Sequence, residues 1–275
     1  MSLEIPFPRL RIGLWLDDLG LTLREGLKEA SGWRLEAAGL DAFGSEVSSR
    51  VLSVSGRKDL AHRIRSAGLV LHALRADSGG RRLADTNTLD ANLARIRAAF
   101  ELARDLGVRQ LVLPLGHIPP TTAQTGLGAR TALREAVQAL ASFGSTLGVR
   151  PLAQAGNEPA TELAAFLQEH DPGGLFGVDL NPGRLVSRGE EALAALPVLS
   201  ERIALASIAD YYLGGGEAPF GEGDVPFGGL LVVLSALSGA APLALLAACS
   251  RECDRVLALR QSVERLKKLR LRPLN

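Results

Sequence analysis

Short apolar runs alternate with longer amphipathic stretches from one end of the chain to the other. Runs of strand length lie at 10–16, 33–38, 69–73, 110–114, 149–154, 175–180, 203–207 and 242–248. The intervals carry helical periodicity. Leu89, Leu93, Ile96, Phe100 and Ala103 step by four and three, and Val256, Leu259, Val263, Leu266 and Leu269 make a similar stripe, the spacing that gathers side chains on one helix face. Several helical stretches stop at a glycine just before the next apolar run, as in ARDLGVRQLVL and GSTLGVRPLAQ, where a C-terminal glycine supplies the left-handed turn. Strand–helix units in strict alternation, with no linker long enough to divide the chain into domains, predict an α/β protein: a single (β/α)8 TIM barrel over residues 1–275. The competing open doubly wound sheet wants a glycine-rich phosphate turn after its first strand, and RIGLWLDDLGLTL contains no GxGxxG.

One stretch tests that reading. From Val225 to Ser250 no charged residue occurs, and an apolar run of such length is ordinarily a membrane-helix candidate. Gly239 and Pro242 interrupt it, leaving pieces with the lengths of one helix and one strand, which predicts a buried helix–strand pair. Composition adds bounds. A chain of 275 residues with 47% hydrophobic content can bury a large core, and a formal net charge of +1 gives no reason to expect nucleic acid or an anionic membrane as partner. Cys249 and Cys253 stand four apart, where a shared helix face would hold them in poor geometry for a disulfide. The expectation is a reduced, cytoplasmic protein, and the opening MSLEIPFPRLR lacks the basic head and apolar core of a secretory signal.

In a barrel, chemistry sits at the C-terminal ends of the strands. The ends read from these runs are Trp15, Glu36, His72, His117, Gln154, Asn181, Ser207 and the region from Ala247 to Cys249. Each has a structural reading beside the functional one. Trp15 packs in a core or stacks on a ligand. His72 and His117, at neighbouring strand ends, are satisfied structural residues or pocket groups. Ser, Asn and Gln at such ends shape loops as often as they contact ligands. His62 and His170 fall in helical stretches and are expected to be solvated. The residues alone leave a barrel with an unidentified pocket.

The segments SVSGRKDLAHRIRSAGLVLHAL and DANLARIRAAFELARDLGVRQLVLPLG, followed by GVDLNPGRLVSRG and RIALASIADYYLGGGEAPFGEGDVPFGGLLVVLSAL, take the chain further. In order and spacing they resemble the second helix to fourth strand, and the sixth strand to seventh helix, of the sugar phosphate isomerase/epimerase group of xylose isomerase-like TIM barrels. The similarity runs from about Leu10 to Leu269. It implies a divalent cation held by glutamate closing strand five, aspartate closing strand six, histidine closing strand seven and glutamate closing strand eight, with the two glutamates moving protons. Carried over position by position, E-T-G-x-E becomes QAGNE, with Gln154 in the ligand place. D-P-A-N or D-T-G-H becomes NPGR, with Asn181. H-x-x-D becomes SIAD, with Ser207 for histidine and Asp210 kept; the last glutamate falls at or beside Ala248. All four positions depart from the family pattern.

The departure has a physical size. Three carboxylates would set a charge of minus three against a dication, and here the same positions sum to zero. Hard cations depend on anionic oxygen, and even losses around a metal's ligands weaken binding ~10 to 100-fold. The expected cofactor is therefore none, and Gln and Asn cannot act as general bases near neutral pH. Asp179 points to the same side as Asn181 but ~6 to 7 Å deeper, either as a hydrogen-bonded structural acid or as part of a rebuilt site. Glu158 and Asp210 remain as acids near the mouth, where with His72 or His117 they would support metal-free acid–base chemistry. The expected ligand-contacting set is Trp15, His72, His117, Gln154, Glu158, Asn181, Ser207 and Asp210, and the expected ligand is a small sugar-like molecule.

The rim after strand seven carries Glu217, Glu222 and Asp224 and no basic residue between Arg202 and Arg251, which disfavours a phosphorylated ligand there, although Arg75 and Arg184 stand on other loops. The uncharged helix from Val225 to Ser238 leaves Val232, Val233, Ser235 and Ala236 for its outer face, which predicts a homodimer contact. Two function classes follow: a sugar isomerase/epimerase-like protein, metal-free or inactive, and a non-catalytic binding or assembly protein that uses the barrel as a scaffold.

Overall fold

The computed structural model of the protein describes residues 10–77, 83–85, 87–119, 124–237, 243–249 and 254–271. Eight parallel strands close into one barrel: β1 Leu10–Trp15, β2 Ala37–Asp41, β3 Val70–Arg75, β4 Gln110–Leu113, β5 Arg150–Gln154, β6 Gly177–Leu180, β7 Ile203–Ile208 and β8 Leu243–Ala247. The barrel closes where β1 pairs with β8 in register Leu10↔Leu243 to Leu14↔Ala247. Between the strands run α1 Leu23–Gly32, α2 Val54–Ser66, α3 Leu89–Leu106, α4 Gln124–Leu147, α5 Ala160–His170, the short pair α6 Pro182–Ser187 and α7 Ala192–Leu199, then α8 Phe227–Leu237 and α9 Arg255–Arg270. This is a single (β/α)8 TIM barrel.

Alternation along each strand divides the core in two. Leu10, Ile12 and Leu14 of β1 and Leu243, Leu245 and Ala247 of β8 face the helices. Trp15, Ala73, Val112, Leu152, Leu205 and Leu246 fill the barrel interior. Both strand faces are buried, as expected for parallel strands covered by helices, so the strands read as near-continuous apolar runs. Small residues make room for the one large ring inside. Gly39 stands opposite Trp15 in the β1–β2 register, and a Cβ there would lie 2.4 Å from the indole. The helix stops fall where the glycines predict, with Gly107 and Gly148 in left-handed backbone at φ 74° and 67°.

Two strands depart from the limits that the apolar runs suggest. The run 33–38 is mostly the turn that follows α1: Arg34 takes a left-handed φ of 53° and Leu35 N–H returns to the Ala30 carbonyl. Glu36 therefore lies ahead of β2, at the opposite end from the mouth, pairing with Arg270 and accepting from Ile12 N. Likewise β3 extends to Arg75, beyond the predicted end at Ala73.

The uncharged stretch divides as predicted into α8 and β8, and among the described residues no helix is long and apolar enough to cross a membrane. Ser238, Gly239, Pro242 and Cys253 lie outside the described residues. Cys249 follows β8 ahead of α9, so it sits on no helix. On α8, Val232, Val233 and Ser235 are half-buried, with the two valines against the core. Ala236 with Gly228 and Gly229 is exposed, a smaller outer face than the pattern suggests. His62 is exposed as expected, whereas His170 packs edge-on to Phe166 with centroids 4.6 Å apart.

Candidate functional site

A cavity of about 310 Å³ opens at the C-terminal mouth, and Gln154, Asn181, Ser207 and Ala248 all line it. These four come from the ends of four consecutive strands, and the alternation that sends Leu152, Leu205 and Leu246 into the barrel sends Gln154, Ser207 and Ala248 the same way. A larger cleft of about 480 Å³ lies among Gly144, Val149, Pro151 and Leu175 at the starts of β5 and β6. That is the end of a barrel associated with stability rather than chemistry, so the mouth is the candidate site despite its smaller volume.

Hydrogen bonds fix the floor of the mouth. The indole Nε1–H of Trp15 donates to Ser207 Oγ at 3.0 Å. Ser207 in turn donates to Asp179 Oδ2 at 2.8 Å; since an indole only donates, the serine hydroxyl is committed as acceptor on one side and donor on the other. Asp179 is fully buried. Burial pushes its carboxyl up to about 6, opposed by its hydrogen bonding to Ser207, by the Arg75 charge and by the Gln154 amide. Its Oδ1 accepts no hydrogen bond of ordinary geometry. The deeper position expected for this acid is the observed one.

Asn181 has a local task. It is the residue ahead of α6, its Oδ1 accepting from Arg184 N at 3.0 Å, with Pro182 in the first turn. Asparagine is among the best residues for that place because its side chain satisfies an orphan N–H of the first turn. Gly156, at φ 110°, lets this turn approach: a Cβ on it would stand 2.4 Å from Arg184 Cβ. Arg184 then reaches Asn157 Oδ1 at 3.0 Å and lines the cavity.

Arg75, expected on a loop and outside the ligand-contacting set, stands at the end of β3 and lines the cavity. Its Nε donates to Asp41 Oδ1 at 2.7 Å and its Nη2 to Asp18 Oδ1 at 2.8 Å, with the guanidinium 4.7 Å from the Trp15 ring centroid. Asp18 comes from the 3₁₀ turn Leu16–Leu19 that follows β1, and its other oxygen accepts from Cys249 N. Asp17 in the same turn accepts from Asp41 N at 2.7 Å, and burial, helped by the Asp41 charge, pushes it up to about 6. Arg255 at the start of α9 also lines the mouth. Had β3 been continued two residues, the parity shared with Ala73 would have pointed Arg75 into the mouth.

Several expected contacts are corrected. His72 lies mid-strand in β3, at the extra residue where the β2–β3 register shifts, and does not line the cavity, because the strand runs three residues past it. Burial and the Arg11 charge bring its pKa down to about 4. His117 is exposed in the loop after β4 and does not line the cavity. Glu158 is buried away from the mouth cavity, its Oε1 accepting from Ile118 N at 3.0 Å and its pKa pushed up to about 7 chiefly by burial. Trp15 is wholly enclosed and meets Arg75 rather than the cavity.

Asp210 accepts from four backbone amides, those of Tyr211, Gly221, Gly223 and Val225, and so organises the loop after β7; it does not line the mouth cavity. Asp210→Ala is expected to lower stability by ~2–3 kcal/mol through those stranded donors and to open the loop to limited proteolysis. An unchanged cleavage pattern would contradict this role.

The sequence matches the model of the xylose isomerase-like TIM barrel family over residues 34–269. No curated protein matches it in sequence. Among solved structures, a xylose isomerase domain protein from Planctomyces limnophilus superposes with TM-score 0.78 at 17% identity, covering 97% of this chain and 98% of that one. A 3-keto-D-glucoside 4-epimerase from E. coli gives 0.71 at 16%, covering 94% and 99%. A D-psicose 3-epimerase from Clostridium cellulolyticum H10, solved with D-tagatose, gives 0.74 at 12%, also covering 94% and 99%. With closed barrel, strand-end cavity and sequence match in agreement, this chain belongs to the xylose isomerase-like TIM barrel family.

Proposed function

We propose that the protein binds a small polyhydroxylated, sugar-like molecule at the barrel mouth, as a member of its family that works without a divalent cation or has lost catalysis. The observation that carries this reading is the chemistry of the four strand-end positions. Asn181 Oδ1 is a neutral amide oxygen that already accepts a helix N–H, Ser207 Oγ is a neutral hydroxyl that accepts from Trp15 and donates to Asp179, and Ala248 offers no side-chain ligand atom. Gln154 is a neutral amide. This set does not fit a dication, which needs several anionic or unshared oxygens around one point. It does fit a ligand of hydroxyl groups, since amides, carboxylates and guanidinium groups around a concave site supply both donors and acceptors.

The structural relatives support the ligand class: they include epimerases named for D-psicose, L-ribulose and 3-keto-D-glucoside. Proton transfer of the kind two strand-end glutamates would perform is absent from this reading, because neither Gln154 nor Ala248 titrates.

A thermal-shift screen of D-psicose, D-tagatose and L-ribulose, each with EDTA and with Mn²⁺, tests the reading. A ligand at one hundred times its Kd raises stability by ~2.7 kcal/mol. The expected result is a shift from at least one sugar that is the same in both buffers; a shift that needs Mn²⁺ would contradict it.

A further inference from the structure

The resemblance places a dication among positions 154, 181, 207 and 248, and these positions do not fit one. A cation nevertheless stands against them, carried by the chain itself. Arg75 lines the mouth cavity with Gln154, Asn181 and Ser207. Its Nε and Nη2 are held by Asp41 and Asp18, and its plane lies near the Trp15 ring. An arginine fork has five N–H donors, and Nη1 makes no hydrogen bond to any described residue. The guanidinium is thus fixed in place with donors to spare.

We propose that Arg75 takes the place of the dication in this mouth, its Nη1 donors holding a carbonyl or hydroxyl oxygen of the ligand. The inference rests on the sugar-binding reading above and names the residue that performs it. Its geometry is that of a preorganised group: two carboxylates and an aromatic face hold the fork before any ligand arrives, so little side-chain freedom is lost on binding. The charges around the cavity bear on the ligand. Arg75, Arg184 and Arg255 face Asp18, Asp77 and Glu217, three cations against three carboxylates. A lining balanced in this way matches a neutral polyol, whose hydroxyls donate and accept, better than a phosphorylated one. Because arginine stays protonated throughout the ordinary pH range, binding through it is insensitive to chelators.

Calorimetric titration of D-psicose and L-ribulose in excess EDTA tests this. Wild type is expected to bind at least one of them. Arg75→Lys keeps the charge but loses the planar fork and is expected to bind about tenfold more weakly or worse. The double variant Arg75→Gln with Asp18→Asn, which removes the cation together with one of its carboxylates, is expected to show no binding while melting cooperatively. Should that variant fail to fold, Arg75→Lys decides alone. Wild-type affinity in the variants would overturn the role of Arg75 and leave the sugar reading standing. Absence of binding by wild type in EDTA, whether or not Mn²⁺ restores it, would overturn both.

Discussion

Trp15→Ala is expected to destabilise the protein by ~4 kcal/mol, within the range for emptying a large aromatic site in a core. The indole is wholly enclosed, and the barrel interior around it is lined by small residues, with Ala37, Ala73 and Gly39 close by. Parallel strands hydrogen-bonded on both sides cannot collapse into the gap, which places the cost toward the upper part of that range. Two further contacts go with the ring: the N–H that donates to Ser207 and the face beneath Arg75. Trp15→Phe separates these effects. It keeps most of the volume but strands Ser207 and is expected to cost ~1–2 kcal/mol, the value of a buried hydrogen bond whose partner is left behind. Urea unfolding of the three proteins measures both; a Trp15→Ala loss below about 1 kcal/mol would show that the ring is not the keystone of the interior.

Asp179→Asn is expected to change the pH dependence of stability more than stability itself. The carboxyl is fully enclosed, and its pKa rises from 3.8 to about 6, mainly because burial disfavours the charged form. Below about pH 4 the group is protonated in both folded and unfolded chains, so it carries no penalty. As pH rises from about 4 to 6 the unfolded chain gives up its proton while the folded one keeps it, and the folded state loses stability. Above about 6 the loss is complete, and with ~1.36 kcal/mol per pKa unit it amounts to ~3 kcal/mol. Asparagine cannot ionise. The variant is therefore expected to gain ~3 kcal/mol on wild type between pH 4 and pH 7.5, the raised carboxyls of Asp17 and Glu158 being common to both proteins. A wild-type-to-variant difference that stays constant across that window would mean that Asp179 is ionised at no cost, with stronger support than Ser207, Gln154 and the Arg75 charge give.

Much of this architecture is legible in the sequence because barrel physics writes itself there. Strands covered on both faces appear as unbroken apolar runs, and helices that lean on them keep a 3.6-residue stripe. The strand ends β5 to β8, which position Gln154, Asn181, Ser207 and Ala248, were readable for that reason, and parity foretold that Asp179 would lie deeper on the same side. The ends of β2 and β3 were not. Trp33, Leu35, Ala37 and Ala38 form an apolar run that straddles a helix end and a strand start, and only the left-handed backbone at Arg34 divides them. In β3 an arginine closes the strand, and its charge disguises it as loop until Asp18 and Asp41 are seen to match it.

The same kind of error displaced the histidines. His72 stands near the end of the apolar run 69–73 although the strand continues to Arg75, and His117 lies in a loop whose direction no periodicity reveals. Asp210 shows a different limit. A carboxylate that collects four backbone amides from a loop of fifteen residues has no local signature, since its partners are fixed by how that loop folds.

Whether the mouth of this barrel has exchanged an ion for a guanidinium is answered most directly by crystals grown with Mn²⁺ and measured at the manganese absorption edge. An anomalous map without a peak among Gln154, Asn181 and Ser207, and with the Arg75 guanidinium beside that space, is the expected result. A manganese peak bonded to those side chains would contradict it.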